Sequence, residues 1–390
     1  MPRDARVLFA TRVVRLFAYG FLSVVLVLYL ASLGLEDAQI GLLLSLTLLG
    51  DVAISFYLST RADVIGRRRT LLIGAVLMVL AAFVFAGTTR YTLLLVAAIL
   101  GVISPSGNEV GPFLPIEQVM LSQTIAAGSR TSMFAWYHLA GSFATAAGSI
   151  TAGALTDVIG YRGVVIAYGV FGIVLAIQFL RLSEAVEPET KHSTASLLRV
   201  DRSRDVVLRL SALFALDSFA GGFVVQSIVA WWFYKRFGLR PSIIGSIFFG
   251  ANLLAGISAL AAARIARRIG LVRTMVFTHL PSNVLLILVP FMPTVELAIA
   301  VLLLRFSISQ MDVPTRQSYV IAVVDPAERS AAAGITGVAR TTGAALAPLA
   351  AVPFIASVSL HWLPFVLAGG LKVVYDLALL RAFRVKDRTE

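Results

Sequence analysis

Four charged residues inside apolar segments are the side chains best placed to do chemistry. Arg15 and Glu117 lie in the first half of the chain, and Asp217 and Arg316 lie in the second half. An ionisable side chain at bilayer depth costs at least about 2.5 kcal/mol on insertion scales, so it needs a partner, a water-filled cavity or a task. We expect the pairs Arg15–Glu117 and Asp217–Arg316. They are either static bridges that orient helices or partners that exchange during a functional cycle.

Two other pairs of charges lie within apolar segments. Asp51 and Arg340 are about equally deep in their segments, and we hypothesise a buried salt bridge that breaks or slides during a conformational change. Alternatively, Asp51 is a lone protonatable carboxyl. Lys372 and Asp376 are four residues apart, a spacing at which the side chains of one helix neutralise each other.

Polar runs that contain Pro, and in the first run also Gly, interrupt two of the apolar segments at corresponding places. The first run spans 104–112 (SPSGNEVGP) and the second spans 307–314 (SISQMDVP). Irregular backbone at bilayer depth is tolerated beside a cavity, and broken helices mark the substrate site of many transporters. Alternatively, the prolines only kink packed helices. With the four charges above, the residues expected to contact a substrate or proton are Asn108, Glu109, Gln118, Gln310, Asp312 and Gln317.

The elements that must position these residues are membrane helices. The chain is 58% hydrophobic and only 14% charged, whereas soluble domains are about 25% charged. Apolar runs of roughly 20 residues recur throughout and predict an all-α membrane protein with about twelve transmembrane helices. The predicted spans are 8–32, 38–59, 70–87, 92–121, 131–156, 163–181, 207–233, 241–264, 274–292, 295–323, 330–357 and 363–382.

The net charge of +12 is distributed unevenly between the predicted loops. Most arginines fall in alternate loops, and because cationic loops stay cytoplasmic, both termini are expected in the cytoplasm. The excess of positive charge then faces anionic lipids of the inner leaflet rather than nucleic acid. Four scattered histidines and no cysteine offer no metal site, and no phosphate-binding loop or catalytic constellation is evident. We therefore expect neither an enzyme nor a bound cofactor.

Internal repeats divide the chain into two similar halves. Residues 33–41 (LGLEDAQIG) match 237–245 (FGLRPSIIG), and residues 62–70 (ADVIGRRRT) match 266–274 (ARRIGLVRT). The matches predict an N-terminal bundle of about six helices (1–181), a cytoplasmic linker (182–206) and a similar C-terminal bundle (207–390). Parallel repeats of this kind are a transporter architecture.

The loop at 59–69 (STRADVIGRRR) carries a family resemblance. Asp63, Gly66, Arg67 and Arg68 match the G-x-x-x-D-x-x-G-R-R pattern between helices two and three of the major facilitator superfamily, which the whole chain resembles. The resemblance implies two six-helix bundles whose helices one, four, seven and ten line a central cavity. It also implies that the Asp63 loop clamps the halves at the cytoplasmic face. Alternatively, the arginines only follow the positive-inside rule.

Together, these features predict a proton-coupled secondary active transporter that moves a small molecule by alternating access, with export preferred to uptake. The alternatives are a uniporter or substrate exchanger of the same fold, or a non-transporting membrane receptor or assembly partner. We expect a monomer in the inner (plasma) membrane. The arginine-rich composition, with only four lysines, suggests a prokaryotic source.

Overall fold

The computed structural model describes residues 2–125, 130–188, 202–325 and 328–383, and this part of the chain is all-helical. The first helices are α1 (Arg3–Ser32), α2 (Asp37–Ile65), α3 (Arg67–Gly87), α4 (Tyr91–Leu100), α5 (Phe113–Thr124), α6 (Arg130–Leu180) and α7 (Arg204–Gly222). The remaining helices are α8 (Gln226–Phe237), α9 (Pro241–Ile269), α10 (Leu271–Leu288), α11 (Val295–Ser309), α12 (Asp312–Val323), α13 (Arg329–Leu346), α14 (Pro348–Ala356) and α15 (Leu363–Phe383).

Ten helical segments in the described part of the chain are long and apolar enough to cross a membrane. Three of them join two consecutive helices: Arg204–Phe237, Val295–Val320 and Ala331–Ala356. Another, within α6, contains Gly160 with φ of 69° and is therefore broken inside its length. The predicted span 92–121 is not one helix, because 101–112 is non-helical between α4 and α5. Two residues likewise separate α11 from α12. The structure thus confirms both predicted interruptions.

The two copies of the repeated loop have the same backbone geometry. Gly66 ends α2 with φ of 104°, and Gly270 ends α9 with φ of 87°. These positive φ values favour glycine, because other residues would place Cβ against the backbone. In both copies the next helix begins at once, so the chain reverses without a long loop.

The described residues form two compact units. The first comprises Met1–Ala195 with Val229–Phe249, and the second comprises Ser196–Ile228 with Gly250–Glu390. The segment 229–249, which the repeat assigns to the C-terminal bundle, thus packs with the first unit. Of the predicted linker 182–206, residues 189–201 lie outside the described residues.

Small residues bring α1 and α6 into close contact in the first unit. A Cβ added to Gly148 would lie 2.1 Å from the carbonyl oxygen of Phe17, and one added to Gly20 would lie 2.2 Å from that of Thr145. Close helix approach through small residues is the usual way that membrane helices associate. This contact holds α6 beside the charged residues of α1.

Candidate functional site

The non-helical segment 101–112 is held by side chains of the surrounding helices. The Tyr19 hydroxyl on α1 donates to the carbonyl of Val110 at 3.1 Å, and the Tyr168 hydroxyl on α6 donates to the carbonyl of Val102 at 2.5 Å. Both tyrosines are buried. A buried backbone group left without a partner is costly, so these hydroxyls replace the hydrogen bonds that the helix has lost.

Asp51 supports the same segment from α2. One carboxylate oxygen accepts from the backbone N–H of Gly111 at 2.6 Å and from the Ser55 hydroxyl at 3.0 Å. Gly111 has a φ of 79°, which a residue with a side chain would rarely adopt. Asp51 and Arg340 belong to different units, so the hypothesised salt bridge between them stays a prediction.

Replacing Tyr168 by Phe should destabilise the protein by about 1–3 kcal/mol, because the carbonyl of Val102 would lose its buried donor. The matched control is Tyr375→Phe. The Tyr375 hydroxyl is also buried but has no hydrogen-bond partner in the described part of the chain, so its removal should change stability little. Thermal unfolding of the purified variants compares the two. Equal losses would mean that the tyrosine hydroxyl does not support the non-helical segment.

Two arginines and two glutamates form the charged cluster of the first unit, which we call the α1 cluster. Arg15 binds Glu117 through Nη1 and Nη2 at 2.7 and 2.6 Å, and its Nε donates to Glu109 at 2.6 Å. Arg12 donates to the other Glu109 oxygen at 2.6 Å. The predicted pair Arg15–Glu117 is therefore confirmed, and Glu109 links it to Arg12.

Neutral groups complete the α1 cluster. Glu117 accepts from the hydroxyls of Thr11, at 2.8 Å, and Tyr137. The side chains of Arg15 and Glu117 are fully buried, whereas Glu109 is 16% exposed. Two positive charges face two negative charges, so the cluster is balanced, and Glu109 is its most accessible member.

The corresponding cluster of the second unit is centred on Asp217, and we call it the α7 cluster. One oxygen of Asp217 lies 2.9 Å from Arg316 Nη1, and the other lies 2.5 Å from Lys372 Nζ. Asp312 is 3.4 Å from the same Arg316 nitrogen. The predicted pair Asp217–Arg316 is confirmed.

The expected pairing of Lys372 with Asp376 is wrong. Lys372 binds Asp217 instead. Asp376 is hydrogen-bonded to two side chains of α10. Its oxygens lie 2.9 Å from His279 Nδ1 and 3.0 Å from Asn283 Nδ2. Spacing along one helix could not reveal this, because the preferred partners lie on two other helices.

The polar residues expected to line the site differ in their exposure. Asn108 and Gln317 are exposed, whereas Gln118 and Gln310 are half-buried. Within the part of the chain that the structure describes, none of these four side chains is hydrogen-bonded to a charged residue of either cluster. Their role in substrate contact remains a prediction.

The loop around Asp63 is held by an ion pair and hydrogen bonds within the first unit. Asp63 binds Arg67 Nε at 2.8 Å. The two oxygens of Glu187 accept from the backbone N–H groups of Arg67 and Arg68, at 2.8 and 2.9 Å, beside Gly66. A carboxylate at this place stabilises the N-terminus of α3. Glu187 was not predicted, because it lies far from the loop in sequence and its partners are backbone groups.

The second unit also has a carboxylate that binds backbone N–H groups, before α7 rather than at the repeated loop. The carboxylate oxygens of Glu328 accept from the backbone N–H groups of Arg202 and Ser203 at 2.8 Å each, directly before α7. Among the described residues there is no group of three or more His, Asp or Glu side chains that could hold a metal ion.

Comparison with known proteins assigns the family. The sequence profile of the Major Facilitator Superfamily matches residues 8–348. The chain belongs to this superfamily. It is an integral membrane protein and a transporter, not an enzyme. The uncharacterized membrane protein YJR124C of Saccharomyces cerevisiae is 31% identical over an alignment 422 residues long. The alignment covers 98% of this chain and 94% of the yeast protein.

Solved structures of superfamily transporters share the fold. The nucleoside transporter NupG aligns with a TM-score of 0.75 at 16% identity, covering 99% of this chain and 100% of that one. A bacterial homologue of the human lysosomal transporter Spinster gives a TM-score of 0.79 at 14% identity, covering 99% and 98%. The D-xylose-proton symporter gives 0.75 at 14% identity, covering 96% of both chains. At these identities the likeness concerns the fold.

Proposed function

We propose that this protein is a proton-coupled secondary active transporter that exports a small molecule by alternating access. The observation that carries the proposal is the position of Glu109 in the non-helical segment 101–112. Its carboxylate bridges Arg12 and Arg15, yet 16% of its side chain is exposed. An accessible acid that ties the non-helical segment to α1 couples protonation to movement of that segment.

Protonation of Glu109 would weaken two ion pairs at once. Arg15 would keep Glu117, whereas Arg12 would lose its carboxylate partner. The segment could then move relative to α1 and open or close a path to the substrate. Glu117, Asp217 and Asp51 are the other candidate proton carriers, but they are more deeply buried than Glu109.

The Glu109→Gln variant should lose the effect of a pH gradient on transport while it still exchanges substrate across the membrane. Glutamine resembles the protonated acid in shape and cannot release a proton. The measurement is uptake into proteoliposomes with and without a pH gradient, for a compound that binds the purified wild-type protein. Glu296→Gln, the same change at an exposed position in the first turn of α11, is the control and should behave like the wild type.

Two results would contradict the proposal in different ways. Wild-type transport that is indifferent to the pH gradient would support a uniporter or substrate exchanger with structural charges. Binding without any transport would support a membrane receptor or assembly partner. Opposite pH gradients applied to oriented proteoliposomes test export against uptake.

For the topology, we propose about twelve crossings with both termini in the cytoplasm. The ten spans become twelve when α6 is divided at Gly160 and when α4, 101–112 and α5 together form one crossing. Gly66 and the charged residues Asp63, Arg67 and Arg68 are proposed to form the cytoplasmic clamp between the halves.

We further propose that the protein functions as a monomer in the plasma membrane and contacts anionic lipids. A groove of about 550 Å³ supports the lipid contact, because Arg3, Arg6 and Arg181 line it together with Val7, Ala10 and Gln178. The prokaryotic source rests on composition alone, and the yeast relative extends the comparison to eukaryotes.

A further inference from the structure

The α7 cluster holds more positive than negative charge. Arg305, Arg316, Arg340 and Lys372 are four cationic side chains in its region, against the three carboxylates of Asp217, Asp312 and Asp376. The α1 cluster, in contrast, has equal numbers of arginines and carboxylates. The second unit therefore has cationic side chains that its own carboxylates do not neutralise.

The excess of positive charge comes from two arginines. Arg305 on α11 and Arg340 on α13 have buried Nε atoms that find no hydrogen-bond partner among the described residues. Neither forms an ion pair within the described part of the second unit. Both residues remain partly accessible, so their guanidinium groups are neither covered by protein nor fully hydrated. Buried nitrogen donors without acceptors are rare, and such a donor calls for a ligand or bound water.

Both arginines lie within electrostatic range of the same two carboxylates. Arg305 is attracted by Asp312 and Asp217. Arg340 is attracted by the same two carboxylates and repelled by Arg316. Gathering a third and a fourth cation around carboxylates that Arg316 and Lys372 already occupy is unfavourable unless an anion joins them.

The α1 cluster offers no comparable binding capacity. All three guanidinium nitrogens of Arg15 donate to carboxylate oxygens, and Arg12 donates to Glu109 and to the backbone carbonyl of Tyr137. An anion could bind Arg15 only by displacing a glutamate. The arginine-rich region of the second unit is therefore the better place for a negatively charged group.

We propose that Arg305 and Arg340 bind the oxyanion of the transported substrate, so that the cargo is a small organic anion. The guanidinium fork matches the oxygens of a carboxylate or a phosphate, with which it forms paired charge-assisted hydrogen bonds. This inference rests on the proposed transport function. It assigns Arg340 to the substrate rather than to Asp51, whose carboxylate already accepts from Gly111 and Ser55.

The test measures the thermal unfolding midpoint of the purified full-length protein at constant ionic strength. The probes are inorganic phosphate, succinate and benzoate, compared with the neutral compound glucose and the cation tetraethylammonium. An oxyanion that binds the folded protein should raise the midpoint progressively with its free concentration L, as RT ln(1 + L/Kd), whereas glucose and tetraethylammonium should not. Phosphate against the two carboxylates distinguishes the kinds of oxyanion.

Substitutions then locate the site. Arg305→Gln and Arg340→Gln should each weaken binding of the protective oxyanion at least about tenfold, as expected for the loss of a charge-assisted hydrogen bond. Arg268→Gln, the same change at an exposed position of α9, should bind like the wild type. If a glutamine variant does not fold, Arg305→Lys and Arg340→Lys keep the charge but remove the fork, and weaker binding is expected from them also.

Several outcomes would overturn the inference. These are protection by tetraethylammonium or glucose alone, no protection by any oxyanion, or full oxyanion binding in both arginine variants. Proteoliposome transport separates this inference from the proposed function. Transport of a neutral or cationic compound that follows the pH gradient would leave proton-coupled transport standing and remove the anion site. Oxyanion binding that requires both arginines, without transport of any compound, would leave the anion site standing and contradict proton-coupled transport.

Discussion

Replacing Arg15 by Gln should destabilise the protein by about 3–5 kcal/mol, the range measured when one partner of a buried ion pair is removed. Arg15 is fully buried and supplies three of the bonds that hold Glu109 and Glu117. Without it, Glu117 would keep only the Thr11 and Tyr137 hydroxyls, and a charged carboxylate would remain in the apolar interior. A large fall in the thermal unfolding midpoint of the purified variant is expected.

The double variant Arg15→Gln/Glu117→Gln should be more stable than Arg15→Gln alone, because it removes both charges and leaves two amides that can hydrogen-bond to each other. Arg6→Gln, an exposed position on the same helix, is the matched control and should change stability by less than about 0.5 kcal/mol. Additive losses in the double variant would show that Arg15 and Glu117 do not stabilise each other.

Replacing Asp217 by Asn should be equally damaging, with a loss of about 3–5 kcal/mol. Asp217 is the shared anion of Arg316 and Lys372, at 2.9 and 2.5 Å. The substitution would leave Lys372 as a buried cation without its carboxylate, and Arg316 would keep only the longer contact with Asp312. We expect a lower unfolding midpoint and, since α7 and α15 lose the ion pair that joins them, a loss of transport as well.

Removing the stranded cation should repair part of this damage. Asp217→Asn/Lys372→Met should unfold at a higher temperature than Asp217→Asn alone, because methionine has a similar length and no charge. Asp205→Asn, an exposed position in the first turn of α7, is the control. If the double variant is less stable than Asp217→Asn, then Lys372 contributes to stability through something other than its pair with Asp217.

Local sequence was sufficient wherever a property depends on neighbouring residues. The breaks at 101–112 and between α11 and α12 were predictable because polar runs with Pro interrupt the apolar segments there, and Pro lacks the N–H of a helical hydrogen bond. The turns at Gly66 and Gly270 follow from the repeated motif in the same way. The apolar runs and the loop motif were enough to predict a membrane transporter of the major facilitator superfamily.

Partner choice was predictable only where the repeat restricted it. Arg15–Glu117 and Asp217–Arg316 were predicted because each half contains one cation and one anion at matching positions. The bond of Lys372 to Asp217 was not, and nearness along α15 suggested the wrong partner. Each residue turns a helix by about 100°, so sequence alone does not tell which face meets which neighbour.

The sequence by itself therefore determined the membrane-helical class, the two broken segments and the two central pairs of opposite charge. Tertiary structure alone decided how those charges are completed. It closes the α1 cluster, in which Glu109 joins Arg12 to Arg15, and it leaves Arg305 and Arg340 without ion-pair partners in the described part of the second unit. The reason is physical: burial in apolar surroundings follows from composition, whereas pairing at 2.5–3 Å depends on the rotation and approach of helices distant in the chain.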